Sequence, residues 1–547
     1  MRSEILKIFS SLLLLLLVVA FGRIPKTLIT PVSADVPVGN LIPSFTSPPA
    51  ESPESRVATP SNEDDTLSFL ATATDGNGDD YYLAICKSNA VTASDGAGAP
   101  TCDGGSWCVS AATASGSEAS CGYVPQSGDS ENNNWYGFVC DEYECSTADQ
   151  GSGIPGSPFV VNHYPAFGSV SNNGPKDPGQ YVTWSTSSTS DSDSYGASDT
   201  VKLVVCDSQG ITSGACDGNE FCSSSLTASN PSCSYLVPTP TDDGSYTAYA
   251  YVVDNHNLGY DTGIESSNGD FGVNSTTPTI TSVSINSSSD INLTEGDYTS
   301  VIVHGTVSDD NGCSDIEIVT TRTFRSGIGV GGCSATNYNN CYKQYVCSVV
   351  TSGNTCTGAG DLSADYECDI DFSYHTESTD ASSLYPTENW TSIMSARDYA
   401  LHIGNTYVST NVEVISLAAL SVTGTMDYGS LAPGSTVDPL SVLVTVNASG
   451  NTGINAELSG TDLSGATGTI AVGNQKYSDT VSTAYSSGTT LTSSAVELSL
   501  LIPKTTTFGS PESAPVYWGI SIPNETPAEA YTGTVTYTAV MTDTGDW

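Results

Sequence analysis

The sequence predicts an all-β chain of tandem sandwiches, and three observations carry that expectation. Short runs rich in Val, Ile, Thr and Tyr recur between stretches of Gly, Ser, Asn, Asp and Pro, as strands joined by turns do. No long apolar pattern of period 3.6 follows the N-terminal segment. A unit of roughly 115–120 residues occurs twice with its cysteines in step, which is the size of one immunoglobulin-like sandwich.

The first copy carries Cys86, then Cys102-Asp103-Gly104-Gly105-Ser106-Trp107-Cys108, then Cys121. The second carries Cys206, then Cys216-Asp217-Gly218-Asn219-Glu220-Phe221-Cys222, then Cys233. Both close on Phe-x-Val-Asn, Phe159 to Asn162 and Phe271 to Asn274.

Three modules open alike, on Pro43-Ser44-Phe45, Pro165-Ala166-Phe167 and Pro278-Thr279-Ile280. A second strand follows in each, over Leu67 to Asp75, Tyr181 to Ser185 and Ser300 to Asp309. The third strand is apolar: Tyr81 to Cys86, Val201 to Cys206, Ile316 to Thr320. A late strand ends on Asp each time: Trp135 to Asp141, Tyr246 to Asp254, Trp390 to Asp398. This order fits strands A, B, C and F of a Greek-key sandwich. Asp242-x-Gly244-x-Tyr246 has the spacing of a tyrosine corner, with Tyr246 returning a hydrogen bond upstream. The fourth module has no cysteine and reads as a different sandwich, with Tyr428-Gly429-Ser430-Leu431 and Tyr531-Thr532-Gly533-Thr534-Val535-Thr536-Tyr537 among its runs.

The expected division is residues 1–34 as a leader, 35–162 and 163–275 as the repeated sandwiches, 276–416 as a third and 417–547 as a fourth. Arg2 and Lys7 precede the apolar core Leu12 to Leu17, and Val32-Ser33-Ala34 supplies small residues for cleavage before Asp35. Export suits sixteen cysteines without a Cys-x-x-Cys, which read as structural disulfides. Parity favours closure inside each module. Cys206–Cys216 and Cys222–Cys233 are the expected pairs in the second. Cys86–Cys102, Cys108–Cys121 and Cys140–Cys145 are expected in the first, and Cys313–Cys368 in the third. No later segment is long and apolar enough to span a membrane, so no transmembrane anchor is expected after cleavage.

The formal charge of −46 becomes −49 once the leader takes away four basic residues and one acidic one. Nucleic acid is excluded as a partner, since phosphate contacts need clustered Lys and Arg. Divalent cations fit such a surface, and so does plain solubility.

Asp75-Gly76-Asn77-Gly78-Asp79-Asp80 places oxygen side chains at alternate positions, as calcium loops do, though without the distal Glu of an EF-hand. An Asx-rich turn capping backbone N–H groups explains the same run. In a sandwich the B–C and F–G loops share one end, so the Asp closing the late strand approaches the B–C carboxylates. The candidate calcium ligands are Asp75, Asn77, Asp79 and Asp80 with Asp141; Asp191, Asp193 and Asp199 with Asp254; and Asp309, Asp310 and Asp315 with Asp398. A cation there is expected to bridge neighbouring modules. The five histidines, His163, His256, His304, His375 and His402, form no His-Glu-x-x-His, and Gly-x-Ser-x-Gly is missing, so catalysis is not expected.

Cys102-Asp103-Gly104-Gly105-Ser106-Trp107-Cys108, Val253-Asp254-Asn255-His256 and Asn339-Asn340-Cys341-Tyr342 resemble large exported surface proteins of uncultivated bacteria with tandem immunoglobulin-like or PKD-like modules. The fourth module is similar to the C-terminal sandwiches of such proteins. The resemblance implies architecture and location, and no catalytic residue follows from it. The function expected is a non-enzymatic surface-layer or envelope-coat subunit whose partners are further copies or envelope components. The alternative is an adhesin that binds a glycan or a surface through its N-terminal repeats.

Overall fold

The computed structural model describes residues 39–96, 98–151, 156–259, 269–358 and 360–547. The expected leader lies outside the described residues. The regular structure among the described residues is nearly all strand, and its α-helix is the four-residue turn Gly329–Gly332. No helix among them is long and apolar enough to cross a membrane. The chain divides into two compact units, Met1–Val161 and Asn162–Trp547.

In the first unit two three-stranded antiparallel sheets enclose a core. One orders Ser44–Ser52, Leu67–Thr74 and Glu118–Tyr123; the other Tyr136–Cys140, Tyr82–Cys86 and Ser106–Val109. Leu67, Phe69, Ala71 and Ala73 alternate inward along their strand, as a half-buried strand requires. Tyr82–Cys86 reads as a continuous apolar run because both of its faces are covered. Leu83 and Ile85 enter the main core, while Ala84 and Cys86 join Phe138, Cys102 and Cys140 on the other side.

The second unit contains three further cores. The second sandwich repeats the strand order of the first, with Ser169–Asn172, Tyr181–Ser187 and Ser232–Leu236 facing Glu220–Ser223, Val201–Cys206 and Tyr249–Asp254. The third pairs Thr279–Ile285, Tyr298–Ser308, Ser363–Ser373 and Ser348–Val349 against Cys341–Val346, Ile316–Arg325, Trp390–Asp398 and Tyr407–Val408. The fourth sets a five-stranded sheet against Val496–Ile502, Ile454–Gly460 and Val535–Met541. Each of the four cores holds one fully buried tryptophan: Trp135, Trp184, Trp390 and Trp518. Each indole N–H has a partner: Glu51 Oε1, Gly269 O, Glu377 O and Tyr537 OH respectively.

All sixteen cysteines are paired. The five bridges expected in the first two sandwiches form. The third sandwich corrects the expected Cys313–Cys368 bridge: Cys313 pairs with Cys356, Cys347 with Cys368, and Cys333 with Cys341. Cys313 lies in a 3-10 turn ahead of the third strand, where it meets the loop carrying Cys356. Cys368 is instead reached by Cys347, because Ser348 pairs with Glu367 and brings the two cysteines abreast. Tyr246 OH donates to Asp242 O at 2.7 Å, closing the expected corner, and Tyr531 OH makes the same bond to Pro527 O in the fourth sandwich.

Candidate metal centres

At one end of each of the first three sandwiches, the B–C turn, the entering chain and the end of the late strand are tied by one hydrogen-bond frame, built three times. The turn is Asp-x-Asn or Asp-x-Asp. Its first carboxylate caps the third residue: the N–H groups of Asn77, Asp193 and Asn311 donate to Oδ1 of Asp75, Asp191 and Asp309 at 2.6, 2.9 and 2.9 Å. The third residue then receives the entering chain. Leu41 N–H donates to Asn77 Oδ1 (2.9 Å), His163 N–H to Asp193 Oδ2 (2.7 Å) and Thr276 N–H to Asn311 Oδ1 (2.6 Å).

The residue just before each of these reaches the aspartate that ends the late strand. Asn40 Nδ2 donates to Asp141 (2.8 Å), Asn162 Nδ2 to Asp254 (2.7 Å) and Ser275 Oγ to Asp398 (3.3 Å). The other oxygen of that aspartate caps its own turn, taking N–H bonds from Tyr143 and Glu144, from His256 and Leu258, or from His402. Short polar side chains do this well because their oxygens reach backbone N–H groups two to four residues on.

One oxygen of the frame is left over in every copy. Asp75 Oδ2, Asp191 Oδ2 and Asp309 Oδ2 are each shut off from solvent with no hydrogen-bond partner among the described residues. A buried carboxylate oxygen without a donor is costly, and such groups are normally satisfied by a partner, a proton or an ion.

The copies diverge at the third carboxylate. Asp309, Asp315 and Asp398 each offer an oxygen, and these lie within 4.8 Å of one another; Asp191, Asp193 and Asp199 do the same. In the first sandwich Asp79 and Asp80 stay exposed, so Asp75 and Asp141 serve as turn caps without a third carboxylate. Asp310 is exposed, outside the third cluster. Asp254 lies next to the second cluster, buried and held by Asn162 and its own turn.

The clusters perturb their own acidity. Burial pushes Asp191 up to about 6, and the charges of Asp193, Asp254 and Asp199 add to it against the N–H bond from Asp193. Asp315 is likewise raised to about 6, first by burial, then by Asp309, Asp243, Asp398 and Asp242. Burial also raises Asp254 and Asp309. Histidine rings lie beside these carboxylates: His163 Nδ1 is 2.9 Å from Asp193, His256 Nε2 3.4 Å from Asp199 and His402 Nδ1 2.9 Å from Asp398.

Sequence reasoning missed Asn40, Asn162, Ser275 and Asn311, which hold the frame. The signal for Asn311 was present, since Asp309-x-Asn311 repeats Asp75-x-Asn77. Asn311 is fully buried, and its Nδ2 donates to Thr241 O (3.0 Å) and Asn274 O (2.9 Å) of the second sandwich. Elsewhere, a cleft of about 1070 Å³ in the fourth sandwich is lined by Tyr428, Leu431, Ile520, Glu529 and Tyr531. Its Glu529 carboxylate is occupied by the N–H groups of Thr467 and Gly468.

No family model and no curated protein matches the chain. Solved structures that it resembles include a marsupial T cell receptor, at 11% identity over 63% of this chain and 96% of that one, with a TM-score of 0.25. A fragment of the ICAM-5 ectodomain spanning D1–D4 matches at 9% identity over 90% and 98% of the two chains, with a TM-score of 0.23. The FN1–FN3 domains of chicken CNTN1 match at 10% identity over 64% and 95%, with a TM-score of 0.16. At scores this low the likenesses carry nothing into the functional reading.

Proposed function

We propose that the chain is an exported, non-enzymatic structural protein of the cell surface, a surface-layer or envelope-coat subunit whose main partner is further copies of itself. The observation that carries this reading is the frame built three times. These polar constructions sit where the polypeptide enters a sandwich, where they fix geometry. Eight disulfides suit an oxidising compartment and hold lean cores together. A strongly acidic surface keeps copies soluble until they assemble.

Electron microscopy of the purified exported chain tests the reading. Ordered arrays, or regular end-to-end assemblies, are the expected result. A monodisperse monomer at every concentration and salt condition contradicts it.

A second reading, an extracellular adhesin, is favoured by one observation. The hairpin after the late strand of the third sandwich exposes Tyr399, Leu401, Ile403 and Val408, each more than half accessible. Contiguous exposed apolar side chains mark contact surfaces. Retention of the chain on a glycan or protein surface, lost on Leu401→Ser and Ile403→Ser, would favour this reading over the coat.

A further inference from the structure

The third sandwich encloses three carboxylates that nothing in their surroundings neutralises fully. Asp398 is fully buried and Asp309 is 2% exposed. Asp309 Oδ1 accepts from Asn311 N–H and Thr276 Oγ1, both at 2.9 Å, while its Oδ2 has no donor among the described residues. Asp315 Oδ2 is equally buried and also without a donor. Asp398 Oδ1 accepts from His402 N–H, and its Oδ2 meets His402 Nδ1 and Ser275 Oγ. Among the described residues no Lys or Arg pairs with any of the three.

We propose that Asp309, Asp315 and Asp398 bind a calcium ion at the joint between the second and third sandwiches. Asp309 and Asp315 each carry a buried, donor-free oxygen, and each of the three carboxylates offers one oxygen within 4.8 Å of the others. Carboxylates held this close repel one another unless a cation or protons intervene. The donors are oxygens, which suits calcium with its six to eight oxygen ligands and tolerance of irregular geometry; magnesium demands near-ideal octahedra. Zinc favours nitrogen and sulfur, and His402 Nδ1 is already turned to Asp398.

The ion would do mechanical work. Asp309 holds Asn311 and Thr276, and Asn311 holds Thr241 and Asn274 of the second sandwich. Asp242 and Asp243, beside Thr241, add their charge to Asp315. Filling the site therefore removes the repulsion that opposes closure of this joint. The second sandwich repeats the frame in Asp191, Asp193 and Asp199, with Asp191 Oδ2 likewise buried and without a donor. It is the expected second site. In the first sandwich Asp79 and Asp80 are exposed, and the proposal does not extend to it.

The test uses the full exported chain, stripped with a chelator and titrated calorimetrically with calcium, with magnesium and zinc in parallel arms. Two calcium ions per chain are expected. Asp315→Asn should remove one of them, or weaken it at least tenfold, while Asp310→Asn, at the exposed neighbour, changes nothing. The melting temperature of each stripped variant verifies folding. Unchanged stoichiometry and affinity in Asp315→Asn would overturn the assignment, as would a stripped wild type whose heat signal and melting temperature ignore calcium. A zinc preference would overturn the choice of ion. These outcomes are independent of array formation, so the structural role and the metal site can fail separately.

Discussion

Replacing Asp315 by Asn should stabilise the chelated protein and destabilise the calcium-loaded one. In the chelated protein the charged Asp315 is penalised by burial and by its acidic neighbours, which lift it from 3.8 to about 6. At 1.36 kcal/mol per pH unit that displacement is about 3 kcal/mol. Asp315 is half-buried, so solvent screening leaves about 1–2 kcal/mol. Asn keeps the shape, drops the charge and brings a donor to the orphaned oxygen of Asp309. At about 2–4 °C per kcal/mol for units of this size, the chelated variant should melt a few degrees higher than wild type at pH 7.

The pH dependence follows from the sign. Between 3.8 and about 6 the folded state binds the extra proton and the unfolded state does not, so stability is present at low pH and lost as pH rises through 6. The advantage of Asp315→Asn should therefore shrink below pH 6. In millimolar calcium the order should reverse, because the variant lacks a ligand. Differential scanning calorimetry of both proteins, with chelator and with calcium, reads all of this. A chelated variant that melts below wild type at pH 7 would refute the reasoning and mark Asp315 as a structural cap.

Three further outcomes are expected. His375 is 1% exposed and depressed from 6.5 to about 4 by burial, with Lys504 adding to it, and the Tyr374 ring lies 5.3 Å away. The unfolded state takes up its proton first, so up to about 3 kcal/mol should be lost as pH falls from 6.5 to 4, and His375→Gln should flatten the acid limb of the melting profile. Asn311→Ala strands Thr276 N–H and two carbonyls of the second sandwich. It should cost about 2–4 kcal/mol by thermal melting and lower calcium affinity with it. Removing Cys313–Cys356 with a double Ser substitution opens a 43-residue separation. About 4 kcal/mol should be lost in the chain-entropy account, and calcium affinity should fall because Cys313 and Asp315 share one turn. Calorimetry checks both.

Much of the frame was legible because its residues end strands. Trp390–Asp398 and Val201–Cys206 run as expected, since an apolar run that stops at a charged or disulfide-bonded residue marks its own limit. The bridges of the first two sandwiches were legible because each spans a short separation, between 5 and 16 residues. Cys313–Cys356, across 43 residues and starting from a 3-10 turn, has no such local signal. The bonding roles of Asn40, Asn162 and Ser275 were illegible for a different reason. In a chain dense with Asn and Ser their importance comes from a carboxylate about 90 to 125 residues away, which no periodicity encodes. The acidic sets were legible as sets, but which carboxylate completes each one depends on how the third strand begins. Asp199 and Asp315 turn inward there, and Asp79 and Asp80 do not.

The most direct test is anomalous diffraction from crystals of the exported chain grown in calcium. The account predicts a calcium peak coordinated by Asp309, Asp315 and Asp398, a second at Asp191, Asp193 and Asp199, and none at Asp75. Well-ordered carboxylates with no anomalous peak, bonded to one another through shared protons or to water, would contradict it.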